Sequence, residues 1–374
     1  MLEGIHIDFN LNLEIGPCGV NARVPTGVTI DKKFDTSLRL IEIPKGFDTF
    51  NFFSDQYKDR FTLNFKKLLG DDLSKYKFLI SFYREEASTT KDKINFFTNL
   101  FKDGKILFIT TNIEEYQENK VLFLNNSEWI YDDVYVRNFF DFWKYLKRQD
   151  IGTIKKKYMF LINHYSDIRF EILKFLYKNN KQNEGNISFN LIDFEGCKLD
   201  KSKILSEINE FNIDYPSYYD TYPTLSHLTD DVRFQKTLIG INHVGTLPHF
   251  NYRIYLESYF EIITETAPHL IMEGTHISEK IHKPLRTALP FMYYGKPDVK
   301  VFLESIGMSF TSPIYFFGLN EEEYLNHLNF LLQQDFNWYN STQIKYLDEY
   351  FNNMDIWIKF IKTNNDQLLK FMYP

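Results

Sequence analysis

The sequence predicts an α/β protein of two halves joined near residue 150, and two observations predict it. Short apolar runs alternate with longer amphipathic stretches, the pattern of parallel strands linked by crossover helices. The 374 residues also make about two domains at roughly 150 residues each. Composition agrees: 44% hydrophobic and 25% charged residues supply a packed core and exclude a disordered chain.

The elements follow in order. Tyr76 to Phe82 reads as a strand, Lys91 to Phe101 as a helix and Lys105 to Thr110 as the next strand. Apolar residues recur at helical spacing from Val134 to Arg148, and the polar run Lys147 to Gly152 reads as the linker between halves. Tyr158 to Asn163 begins the second half as a strand. A helix follows with Asp167 as its N-cap and Ile168, Ile172, Leu173, Phe175 and Leu176 on its inner side. Lys198 to Asp231 reads as loops with a short helix, Tyr259 to Thr264 as a strand, and Pro290 to Gly295 as a strand and turn. From Glu321 onward the chain reads as helical. The expected division is 1–150, 151–340, and a helical tail over 341–374 that packs back on the first half, where Trp357, Phe360, Ile361 and Leu368 would help to set the hinge.

Charge and cysteine usage narrow the function. Forty-three Lys and Arg against 50 Asp and Glu give a net charge of -7, which argues against an extended nucleic-acid surface and permits a local basic pocket. The run Lys155 to Lys157 is too short to form a basic groove. Cys18 and Cys197 form neither a disulfide framework nor a zinc spacing, so a reducing, cytoplasmic setting is expected. Glu3 and Asp8 interrupt the amino terminus where an export signal needs an apolar run, and no stretch of about 18 apolar residues is free of charge. Peripheral contact with a membrane surface stays compatible with this. The aromatic content of 18% fits an AT-rich genome as well as a binding surface and carries no functional weight.

Chemistry concentrates between Glu261 and Phe310. A buried-looking strand ends in Thr264, Glu265 and Thr266, and a polar loop leads to Thr275, His276, Ser278, Glu279 and Lys280, where a helix starts with Ile281, Leu285 and Leu289 inward. In open α/β sheets ligands bind beyond the carboxyl ends of strands, and a helix start offers N–H groups to phosphate. Thr275 and Ser278 add hydroxyl donors, Lys280 a point charge for a diphosphate, and Glu279 or Glu265 acceptors for ribose hydroxyls. On spacing alone Glu279 and Lys280 read equally well as solvated charges in a first helical turn.

The pattern Thr264-Glu265, then Ser278-Glu279-Lys280-Ile281-x-Lys283-Pro284-Leu285, then Pro290-Phe291, Gly295 and Leu303-x-x-x-Gly307-x-x-Phe310 resembles the C-terminal half of glycosyltransferases found in phages, giant viruses and bacterial polysaccharide clusters. The Glu279-Lys280 pair is also similar to the nucleotide-binding Glu-Lys of α-1,3-fucosyltransferases. The resemblance spans about residues 155 to 335. It implies the GT-B fold, two Rossmann-like α/β domains facing a cleft, and transfer of a sugar from a GDP- or UDP-sugar donor, with no further cofactor, to a saccharide acceptor in surface glycan synthesis. It also places Asn163 at a strand end and Arg169 on the donor's diphosphate, a contact that an Arg near a helix start can make in bidentate form. Without the resemblance, Arg169 reads as a surface ion-pair residue.

Inverting transfer needs a stabilised leaving group and a general base. The resemblance implies helix dipole and cations for the first, without a metal. The Asp pairs 71–72, 132–133 and 230–231 read as solvated acids, and none is Asp-x-Asp. For the base, Glu85 and Glu86 follow the strand that ends at Phe82, with Asp8 a weaker choice and His243 and His249 lining residues only. Two solvated carboxylates beside Arg84 is the plainer reading of Glu85 and Glu86. Inversion is favoured, but Glu265 and Glu273 have the Glu-x7-Glu spacing of many retaining enzymes, which keeps retention open. A modified DNA base as acceptor, or a non-catalytic module that binds glycan or protein, are the alternatives.

Overall fold

The computed structural model describes residues 21–23, 38–42, 76–82, 91–101, 105–110, 121–123, 143–149, 154–162, 166–189, 201–211, 252–265 and 279–372, with positions 72, 74, 141, 213 and 277 between them. They form two five-stranded sheets. The first contains β1 (Asn21–Arg23), β2 (Leu38–Glu42), β3 (Lys77–Phe82), β4 (Lys105–Thr110) and β5 (Val121–Phe123), in that spatial order. Only β1 with β2 is antiparallel; β2 to β5 run parallel. Helix α1 (Lys91–Leu100) links β3 to β4 and closes a small core in which the Phe78 and Phe101 rings stack at 3.8 Å.

The second sheet contains β6 (Lys156–Ile162), β7 (Gly185–Phe189), β8 (Ser258–Thr264), β9 (Phe291–Tyr294) and β10 (Phe316–Gly318), all parallel, in the order β10-β9-β8-β6-β7. Every residue of β8 is buried, as expected of a central strand covered on both faces. From β6 the chain first crosses to β7 on one side, then returns to place β8 on the other. The order therefore reverses between β6 and β8, and such a switch point opens a crevice beyond the strands' carboxyl ends. Among the described residues the first sheet has no such reversal.

The helices explain themselves locally. Helix α3 (Asp167–Lys178) carries an acid in its first turn and a base in its last, matching the helix dipole. It ends where Asn180 takes a left-handed φ of 55°, with Lys181 N–H donating to the Leu176 carbonyl and Asn180 N–H to that of Tyr177. Its N-cap is Ser166, one residue before the expected Asp167. The helix after β8, here α6, spans Glu279–Arg286, and Ile281, Leu285 and Leu289 are all buried as expected. Helices α4 (Lys201–Glu210), α5 (Tyr252–Glu257), α7 (Asp298–Ser305) and α8 (Glu321–Gln333) complete the connections.

The expected linker needs correction. Lys147 and Arg148 belong to helix α2, residues 143–149. Lys147 is 1% exposed, its ammonium donating to the Tyr255 carbonyl at 2.7 Å beside the Trp143 ring. A long amphipathic side chain buries its stem once its charge is satisfied, so polarity alone misread this segment. Nor do the lysines that open β6 make a basic surface: Lys156 donates to the Asn183 carbonyl and Lys157 to that of Leu332, with Glu184 2.9 Å from Lys157.

The chain closes with the long helix α9 (Phe336–Met372). It packs on α6 and touches β5 of the first sheet, and Lys77 of β3 donates to the Phe371 carbonyl at 3.4 Å. Trp357 and Ile361 share one core with Ile281, Leu285 and Leu303. These two residues thus belong to the core of the second half. Among the described residues no helix is long and apolar enough to cross a membrane.

Candidate functional site

The switch point brings three predicted side chains to one strand end. Arg169 is the third residue of α3, which follows β6, and it is 2% exposed. Its Nε donates to Thr264 Oγ1 at 2.8 Å and its Nη2 to the Thr264 carbonyl at 2.7 Å. A buried guanidinium must have its donors satisfied, and the last residue of β8 takes two of them. The reading of Arg169 as a surface ion-pair residue is therefore overturned.

One residue further on, Glu265 keeps the sheet register by donating its N–H to the Tyr294 carbonyl at 3.1 Å. Its carboxylate meets Lys280, the second residue of α6, with Oε2 3.8 Å from Nζ. Both side chains keep about a fifth of their surface exposed, at 17% and 20%. At 3.8 Å the contact is longer than a charge-assisted hydrogen bond, so an anionic ligand can compete with the carboxylate for Lys280. Two cations from two helices thus address the consecutive residues Thr264 and Glu265.

Sequence reasoning gives Thr264 a place in a strand end and in the resemblance but no role of its own, and it gives Ser166 none. Ser166 caps α3 in an extended conformation, yet its hydroxyl makes no capping bond and, buried, has no hydrogen-bond partner. A missing cap bond has no sequence signature. The fold alone shows it.

Deeper in β8, Glu261 is wholly buried. Its Oε1 lies 3.5 Å from the Tyr255 hydroxyl, and Oε2 has no hydrogen-bond partner. Burial pushes its carboxyl up to about 8, against the opposing pull of the Lys283 charge and the Tyr255 hydroxyl.

The backbone of Glu279 opens α6 as expected. Asn163, Thr275, His276 and Ser278 lie outside the described residues, as do Glu85 and Glu86, Asp8, His243 and His249. Among the described residues no three His, Cys, Asp or Glu side chains gather to hold a metal.

Fold and site define an open α/β protein with two cationic side chains gathered at one strand end of a switch point. No protein-family profile and no curated protein sequence matches the chain. Among solved structures it is similar to HepE of Anabaena in complex with UDP-glucose, at 8% identity and a TM-score of 0.41, covering 85% of this chain and 76% of that one. The same protein with UDP gives 9% identity and a TM-score of 0.40, covering 84% and 76%. A glycosylation-associated protein complex, Gap123 of Streptococcus agalactiae, gives 10% and 0.34, covering 83% of this chain and 53% of that one. At such scores these likenesses bear on neither ligand nor site, which rest on the chain's own residues.

Proposed function

We propose that the chain is a nucleotide-sugar-dependent glycosyltransferase of GT-B type, holding its donor's diphosphate in the crevice beyond β6 and β8. The carrying observation is the meeting of Arg169 and Lys280 at Thr264 and Glu265. Two cations beside the starts of two helices supply fixed positive potential where a departing diphosphate gathers charge, in a site that excludes much of the water. Ser166 adds a hydroxyl at the head of α3, and Glu265 becomes an acceptor for ribose hydroxyls once Lys280 turns to phosphate.

In this reading the bond between the donor's anomeric carbon and the diphosphate breaks, and an acceptor hydroxyl attacks that carbon and loses its proton to a general base. Glu85 or Glu86, following β3 in the first half, takes the proton in a single, inverting displacement, and the two cations at the diphosphate stand where a metal would otherwise act. Asn163, Thr275, His276, Ser278 and Glu279 complete the donor pocket. The acceptor is a saccharide, the donor a GDP- or UDP-sugar, and the setting cytoplasmic glycan assembly with peripheral membrane contact.

The direct test is hydrolysis of a panel of nucleotide sugars without acceptor, read as release of nucleoside diphosphate. One donor consumed above the others is expected. No turnover with any donor, together with no calorimetric binding of UDP or GDP, would overturn the reading.

A further inference from the structure

We propose that Thr264 is a positioning residue for the nucleotide diphosphate, acting through Arg169; the inference rests on the reading of that crevice as the donor site. Nε and Nη2 lie along one edge of a guanidinium, and both dock on Thr264, one on its hydroxyl and one on its carbonyl. This side-on clamp fixes the plane of the group and turns its other edge, Nη1 with Nη2, in a different direction. Bidentate phosphate contacts depend on that plane, because two parallel N–H vectors must meet two oxygens at once.

The strand itself favours an apolar residue at this position. Phe260 and Ile262 precede Thr264 at alternate positions and are buried in the core beneath α3, and Thr264 is itself 3% exposed. A valine would fill the same space. Only the hydroxyl distinguishes them, and it accepts from the Arg169 Nε. The β-branched side chain also restricts χ1, so Oγ1 keeps a fixed direction. Thr264 is one residue from the Glu265 that pairs with Lys280, so a single strand end aligns both cations.

Titration calorimetry with UDP and GDP in turn, on the full chain, tests this. Thr264→Val, which keeps shape and carbonyl, is expected to weaken nucleotide binding on the order of tenfold, the cost of losing one buried hydrogen bond to a charged group. Thr264→Ser should restore most of the affinity. In an Arg169→Ala background, Thr264→Val should cost nothing further, a dependence that a mere packing defect does not produce. If Arg169→Ala weakens binding but Thr264→Val does not, or if the two losses add, the positioning role is wrong and the donor site stands. If Arg169→Ala leaves affinity for both nucleotides unchanged, the donor-site reading fails and takes the inference with it.

Discussion

Lys280 stands with its ammonium 3.8 Å from the carboxylate of Glu265, joining the first turn of α6 to the end of β8. The contact is long enough for a phosphate oxygen to compete with the carboxylate. Lys280→Ala should therefore weaken UDP or GDP binding by roughly tenfold, the scale of one charge-assisted contact, while leaving the melting temperature nearly unchanged because an ion pair held at this distance adds little stability. Calorimetry and a thermal melt on the same sample check both halves.

Glu261 predicts a pH dependence of stability. Its carboxyl ionises near 8 in the fold and near the ordinary 4.5 once unfolded. Between those values the folded chain holds the extra proton, so this group's contribution to stability is complete below about 4.5, declines as pH rises and is lost above about 8. Glu261→Gln, neutral throughout, should melt higher than the parent at pH 9, by at least ~1 kcal/mol of stability, and differ little at pH 4.5. Parallel melting curves for the two proteins across that range would contradict the assignment.

Trp357 ties the long closing helix to the second half. It is 0% exposed, and its ring lies 4.8 Å from that of His282 on α6 and stacks on Phe360 at 5.5 Å. Trp357→Ala should cost about 3–5 kcal/mol, measured by denaturant unfolding. Removal of the last twenty residues strips Trp357 and Ile361 from that core, so it should lower the stability of the second half as well as disturb the orientation of the two halves. A truncated protein with full turnover would contradict both effects.

Gly185 faces Tyr158 across the β6–β7 pair, and an added Cβ would stand 2.2 Å from the tyrosine ring. The ring covers the space that a side chain would need. Gly185→Ala should destabilise by about 1–3 kcal/mol, the usual cost of forcing extra volume into a packed site. Adding Tyr158→Leu should recover part of the loss in the same unfolding assay.

Part of the resemblance has a structural explanation. In Leu303-x-x-x-Gly307-x-x-Phe310, Gly307 takes a φ of 103°, Met308 donates to the Leu303 carbonyl at 3.1 Å, and the Phe310 ring meets Phe291, Tyr315 and Phe317 edge-on. The pattern stops α7 and seals a core. It carries no chemistry of its own.

Local periods are legible in the chain before it folds: the buried runs of β3, β4, β6, β8 and β9, the inner faces of α3 and α6, and the gathering of acids, bases and hydroxyls between Glu261 and Phe310. Periodicity is a property of neighbours along the chain, so a single sequence shows it. It also placed Arg169 and Lys280 beside two helix starts. Short strands such as β1, β5 and β10, each of three residues, carry too little pattern to be read. The tertiary structure alone decided that β8 lies next to β6, which puts Arg169 against Thr264 across a sequence separation of 95 residues. Strand order follows from which apolar faces bury one another, a choice made among distant segments. It converts Arg169 from a surface charge into a buried one clamped at a strand end.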